Sequence, residues 1–78
     1  MHKGDYEIVF KTHAVFRAEE RRIPWDLIES TVQTGEFEKF GKRMVKISKE
    51  FKDARITCVG EIVGDVIKII TITSSRKW

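Results

Sequence analysis

A chain of 78 residues, 41% hydrophobic and 35% charged, has room for one domain and reads as a compact folded unit, not a disordered tract. No segment approaches the roughly 18 uninterrupted apolar residues of a membrane span. The opening MHKGDYE lacks the apolar stretch of a secretory signal, and one cysteine with two histidines closes no internal disulfide and argues against a zinc cluster. The expectation is a cytoplasmic single-domain protein, free of membrane and cofactor, whose net charge of +3 favours an anionic partner.

Tyr6–Phe10, YEIVF, is short, β-branched and aromatic and predicts an opening strand or extended arm. Thr12 then serves as the N-cap of a first helix reaching about Arg22, because its hydroxyl can accept a bond from a free backbone N–H of the first turn. Ile23 and Pro24 end that helix, since the residue before proline is pushed out of helical geometry. Pro24 at a first helical position opens a second helix to Thr34, with Asp26 and Glu29 complementing the positive end of its dipole. Trp25, Ile28 and Val32 recur at helical spacing as its core stripe, and Gly35 in a left-handed conformation stops it.

Beyond Lys42 the helical period is lost. KRMVKISKEF, RITCVGEIV and DVIKIITITS read as three strands. VGDV at 63–66 signals a two-residue hairpin and KDA at 52–54 a slightly longer turn, so the three make an antiparallel meander. The predicted architecture is α+β, with two N-terminal helices on one face of a three- to four-stranded antiparallel sheet, preceded by a short strand. The other face is left for solvent or for a second copy in a homodimer. Cys58, within ITCVGEIV, reads as a small buried hydrophobe on a strand.

The charges are informative by position. THAVFRAEERRI places His13, Arg17 and Arg21 four residues apart, within one quadrant of a helix. Like charges at that spacing repel by about 0.2–0.5 kcal/mol per pair, so something else must compensate. Arg22 adds to the cluster, and the chain closes on Ser-Ser-Arg76-Lys77-Trp78. Lys39, Lys42, Arg43 and Lys46 read as the solvated face or edge protection of a strand.

The run HAVFRAEERRI, with a closing hydrophobic strand IKIITITS, resembles an uncharacterised microbial family with a His-Ala-x-x-Arg-x-x-x-Arg-x-Ile signature, here His13, Ala14, Arg17, Arg21 and Ile23. That family is similar to the RelE, BrnT and barnase-like ribonuclease toxins of toxin–antitoxin systems, and the resemblance spans nearly the whole chain. It implies a RelE-like order of elements, an RNA substrate, an antitoxin partner, and a functional threonine on the last strand, Thr71 or Thr73. Its members often have glycine before the isoleucine where this chain has Arg22, so here the corner between the helices is built without glycine's freedom.

Metal-free RNA cleavage needs a base for the 2′-hydroxyl proton, an acid for the leaving oxygen, and cations around the phosphoryl oxygens. Histidine, which ordinarily titrates near 6.5, suits proton transfer. Arginine's planar fork, always charged, suits phosphate. The expected catalytic set is His13, Arg17, Arg21, Thr73 and Arg76, with Thr71, Arg22, Lys77 and Trp78 binding substrate. Trp78 supplies either a stacking face for a base or a tail covering the sheet edge. The purely structural alternative has His13 bonded to a carbonyl of the first turn, and Arg17 and Arg21 paired with Glu20 or Glu61. A non-catalytic nucleic-acid binder, a protein-interaction module and a degenerate toxin held by its antitoxin complete the alternatives.

Overall fold

The computed structural model describes residues 2–76, with side chains over residues 3–75. Along the chain run β1 (His2–Lys3), β2 (Tyr6–Phe10), α1 (Thr12–Glu20), α2 (Trp25–Thr34), β3 (Glu36–Phe40), β4 (Met44–Glu50), β5 (Ala54–Val63) and β6 (Val66–Arg76). The class is α+β, and both helices lie against one sheet, α1 on β6 and α2 on β4 and β5.

The meander read from the sequence is present. β4, β5 and β6 pair antiparallel, and Val63 faces Val66 across Gly64 and Asp65. Gly64, at φ 62°, is the turn residue with positive φ, as a type II′ hairpin requires. The sheet is larger than expected and mixed in direction. Its order is β1-β2-β6-β5-β4-β3 among the described residues, and β2 runs parallel to β6, with Glu7 beside Val66 and Phe10 beside Ile69. Two strands escape a pattern reading. β1 has two residues, and β3, EFEKF, alternates charge with aromatics as an edge strand does when only Phe37 turns partly inward.

The core lies between the helices and the sheet face that carries Ile8, Ile67, Ile69, Ile72, Ile56 and Cys58, all nearly free of solvent contact. Burying each isoleucine contributes about 1.5–3 kcal/mol. Burial also pushes the Cys58 thiol from 9.0 up to about 12, which keeps it protonated and unreactive. The sheet curls around α2 until Tyr6 on β2 and Phe37 on β3, near opposite ends of the strand order, stack with ring centroids 6.4 Å apart. Lys49 on β4 ties α2 to this wrap by donating to Ser30 Oγ and Thr34 Oγ1, each at 2.7 Å.

Helix boundaries differ from the sequence reading in instructive ways. The N-cap of α1 is Lys11, not Thr12, and no side chain caps it. Instead the Lys11 N–H donates to the Ile69 carbonyl at 3.0 Å, so the β2–β6 ladder runs straight into the helix and fixes its start. Pro24 is the N-cap of α2 and not its first helical residue, so the helix starts one position later than expected, at Trp25, with Pro24 at an extended ψ of 133° and its carbonyl accepting from Leu27. Trp25 is 43% exposed and packs edge-on against Phe10 at 4.9 Å instead of entering the core stripe with Ile28 and Val32. Gly35 has φ −72°, so it is not left-handed. Glycine is needed there for space, because a Cβ would collide with the Thr31 carbonyl oxygen and come within 2.7 Å of that of Ser48.

α1 ends at Glu20, short of Arg22, in a Schellman motif. Arg22 N–H donates to Glu19 O and Ile23 N–H to Ala18 O, both at 3.0 Å, and Arg22 takes φ 56°. An L-residue with a side chain occupies the position that glycine fills without strain, at a cost of about 1–2 kcal/mol.

Candidate functional site

Ala14 and Ala18 are 1% and 2% exposed, and their small side chains let α1 lie close on β6. The positions just before and after them on the same shoulder, His13, Arg17 and Arg21, therefore fall beside the strand. The β2–β6 pairing stops at Ile69 because the chain leaves β2 for α1, so from there α1 replaces a strand along that side of β6. At the same place β6 is irregular. Thr71 pairs with Val59 and Ile69 with Gly60, which leaves Ile70 as an extra residue in a bulge.

A cleft of about 210 Å³ results between helix and strand, lined by His13, Ala14, Arg17 and Arg21 on one side and Ile70, Thr71 and Ile72 on the other. No carboxylate lines it. Arg21 is held in place by Nη1, which donates to the Ile72 carbonyl oxygen at 2.8 Å, and its other guanidinium donors stay available. His13 and Arg17 are exposed. Among the described residues neither side chain has a hydrogen-bond or ion-pair partner, so the pairing of Arg17 and Arg21 with Glu20 or Glu61 is not realised, nor is a carbonyl bond from His13. Ion pairs among the described residues form elsewhere, Lys46 with Glu38 at 3.4 Å and Arg55 with Glu50 at 3.1 Å, on the sheet face away from the helices.

The expected residues separate into groups. His13, Arg17, Arg21 and Thr71 come together in this cleft. Thr73 shares a strand face with Thr71 but pairs with Thr57, is exposed and does not line the cleft. Arg22 lines a neighbouring cleft of about 490 Å³, entered past Arg21, together with Ile23, Leu27, Asp53 and Ser74. Arg76 ends β6 opposite Ala54, while its side chain, Lys77 and Trp78 lie outside the described residues.

Sequence reasoning missed Ile70, whose place depends on a bulge, and Asp53, which comes from the β4–β5 turn to face the helix corner. Among the described residues no group of three His, Cys, Asp or Glu side chains is placed to hold a metal ion, and no helix is long and apolar enough to cross a membrane.

Residues 10–74 match the model of a family described as a domain of unknown function, DUF4258, a span that takes in both helices, β3 to β5 and most of β6. No curated protein and no solved structure matches the chain.

Proposed function

We propose that this chain, which belongs to the DUF4258 family, is a metal-independent endoribonuclease of the toxin–antitoxin type that holds one phosphate of single-stranded RNA in the α1–β6 cleft. The observation that carries this reading is the convergence of His13, Arg17, Arg21 and Thr71 in an open cleft that, among the described residues, has no carboxylate on its walls. Two guanidinium groups without a carboxylate partner, at a spacing that costs the helix energy, find their compensation in a bound oxyanion. The resemblance of the helix signature to RelE-like toxins points the same way.

In the proposed reaction His13 takes the proton of the 2′-hydroxyl as its oxygen attacks phosphorus. Arg17, Arg21 and Thr71 hold the charge that gathers on the non-bridging oxygens. The bond to the 5′-oxygen then breaks, and the protonated imidazole returns its proton to that leaving group. The products are a 2′,3′-cyclic phosphate and a free 5′-hydroxyl. Among the residues lining the cleft, His13 is the one whose side chain type exchanges protons near neutrality.

The test is cleavage of single-stranded RNA in the presence of EDTA. Wild-type protein is expected to cut RNA and spare DNA, which lacks the attacking hydroxyl. His13→Ala is expected to lose about 10²- to 10⁴-fold in rate, the usual share of one proton-transfer group, with RNA binding little changed. Full activity in His13→Ala would contradict the assignment.

One observation favours a second reading. β6 runs on to Arg76, past Ile72 where the Arg21 side chain and α1 cover its edge, and the stretch beyond is the part that can pair with a strand of another protein, such as an antitoxin or a second copy. A stable protein complex or homodimer with no affinity for RNA would decide for that reading.

A further inference from the structure

The second cleft, of about 490 Å³, lies on the far side of Arg21 between the α1–α2 corner and the β4–β5 turn. Its size is that of a small-molecule site. The buried Ile23 and Ile56, with half-buried Leu27, give it an apolar floor, and the exposed Arg22 and Asp53 stand at its rim. Two features of the rim point to a ligand. Among the described residues the side chains of Arg22 and Asp53 form no hydrogen bond or ion pair, with each other or with anything else, although they carry opposite charges on one cleft. Arg22 also holds φ 56°, a conformation that strains any residue with a side chain. Among the described residues its guanidinium makes no bond that offsets this strain.

We propose, resting on the RNA reading above, that this cleft takes the nucleobase adjoining the phosphate held by His13, Arg17 and Arg21, and that it selects a base with an exocyclic amine. An apolar floor accepts the flat face of a base, and the Arg22 guanidinium stacks on it. The Asp53 carboxylate accepts a hydrogen bond from the amine. Uracil presents a carbonyl oxygen where cytosine presents N4–H₂, so a carboxylate attracts cytosine and repels uracil. Arg21, which lines both clefts, joins the phosphate to the base pocket.

The test is direct binding, by fluorescence anisotropy, of short 2′-deoxy oligomers of cytidine and of uridine, which bind without being cut. Wild-type protein is expected to hold the cytidine oligomer about ten-fold more tightly. Asp53→Asn, whose amide also donates to the uracil carbonyl, is expected to bring the two affinities together. Arg22→Gly is expected to weaken both by about five-fold or more while raising the melting temperature. Equal wild-type affinities that still fall with salt would overturn the base pocket and leave the phosphate cleft standing, whereas no binding of either oligomer would overturn both. A cytidine preference that survives in Asp53→Asn would remove Asp53 from the site, and unchanged affinity in Arg22→Gly would make that residue purely structural.

Discussion

The two helices are nearly equal in length and lie on the same sheet, yet they do different work. α2 sits in the curl of the sheet with Ile28, Thr31 and Val32 fully buried, and Thr31 satisfies its hydroxyl on the Leu27 carbonyl at 2.7 Å. α1 touches the core through two alanines and leaves Phe16 60% exposed. Its cations are turned to a cleft, not to carboxylates. A small domain with one core can keep one helix for stability and free the surface of the other for chemistry, provided that the second helix is anchored by backbone. Here the anchors are the Lys11–Ile69 hydrogen bond at its start and the Schellman motif at its end.

Substitutions break this division in order of size. Ile28→Ala in α2 is expected to destabilise the protein by about 2–5 kcal/mol, because the wrapped sheet cannot collapse onto the cavity. A loss under about 1 kcal/mol in denaturant unfolding would show that α2 is not the structural helix. Gly35→Ala is expected to cost about 1–3 kcal/mol, since the added methyl meets two carbonyl oxygens that belong to the helix end and to β4. Unchanged stability would mean that the close approach there relaxes freely. Arg22→Gly reverses the sign and is expected to stabilise the corner by about 1 kcal/mol through relief of the left-handed strain. A destabilised variant would show that the side chain, not the backbone, holds the two helices together.

How far the sequence reveals this arrangement depends on the range of the interactions. Periodicity within ten residues located both helices, and the Val-Gly-Asp-Val turn located the β5–β6 hairpin, because each is decided by neighbours in the chain. The parallel pairing of Tyr6–Phe10 with Val66–Ile69 has no local signature, so an antiparallel sheet was expected where a mixed one forms. β3 hid behind its glutamates and lysine, which an edge strand tolerates. At the site, four-residue spacing was enough to group His13, Arg17 and Arg21. Strand alternation was not enough to choose between Thr71 and Thr73, because the bulge at Ile70 resets the pattern beside one and not the other. Asp53 and Arg22 meet across one cleft only through tertiary structure, and no spacing in the chain announces it.

The central claim is that the cationic shoulder of α1 is a phosphate site, and the salt dependence of single-stranded RNA affinity tests it most directly. Measured with His13→Ala as the uncleaving parent, log affinity should fall linearly with log salt, by about 0.7 for each phosphate neutralised. Adding Arg17→Ala should flatten that slope by about one contact, while the folded stability, which the Arg17 side chain supports through no hydrogen bond or ion pair among the described residues, changes by less than about 0.5 kcal/mol. An unchanged slope with both arginines replaced, or no RNA affinity at any salt, would contradict the claim.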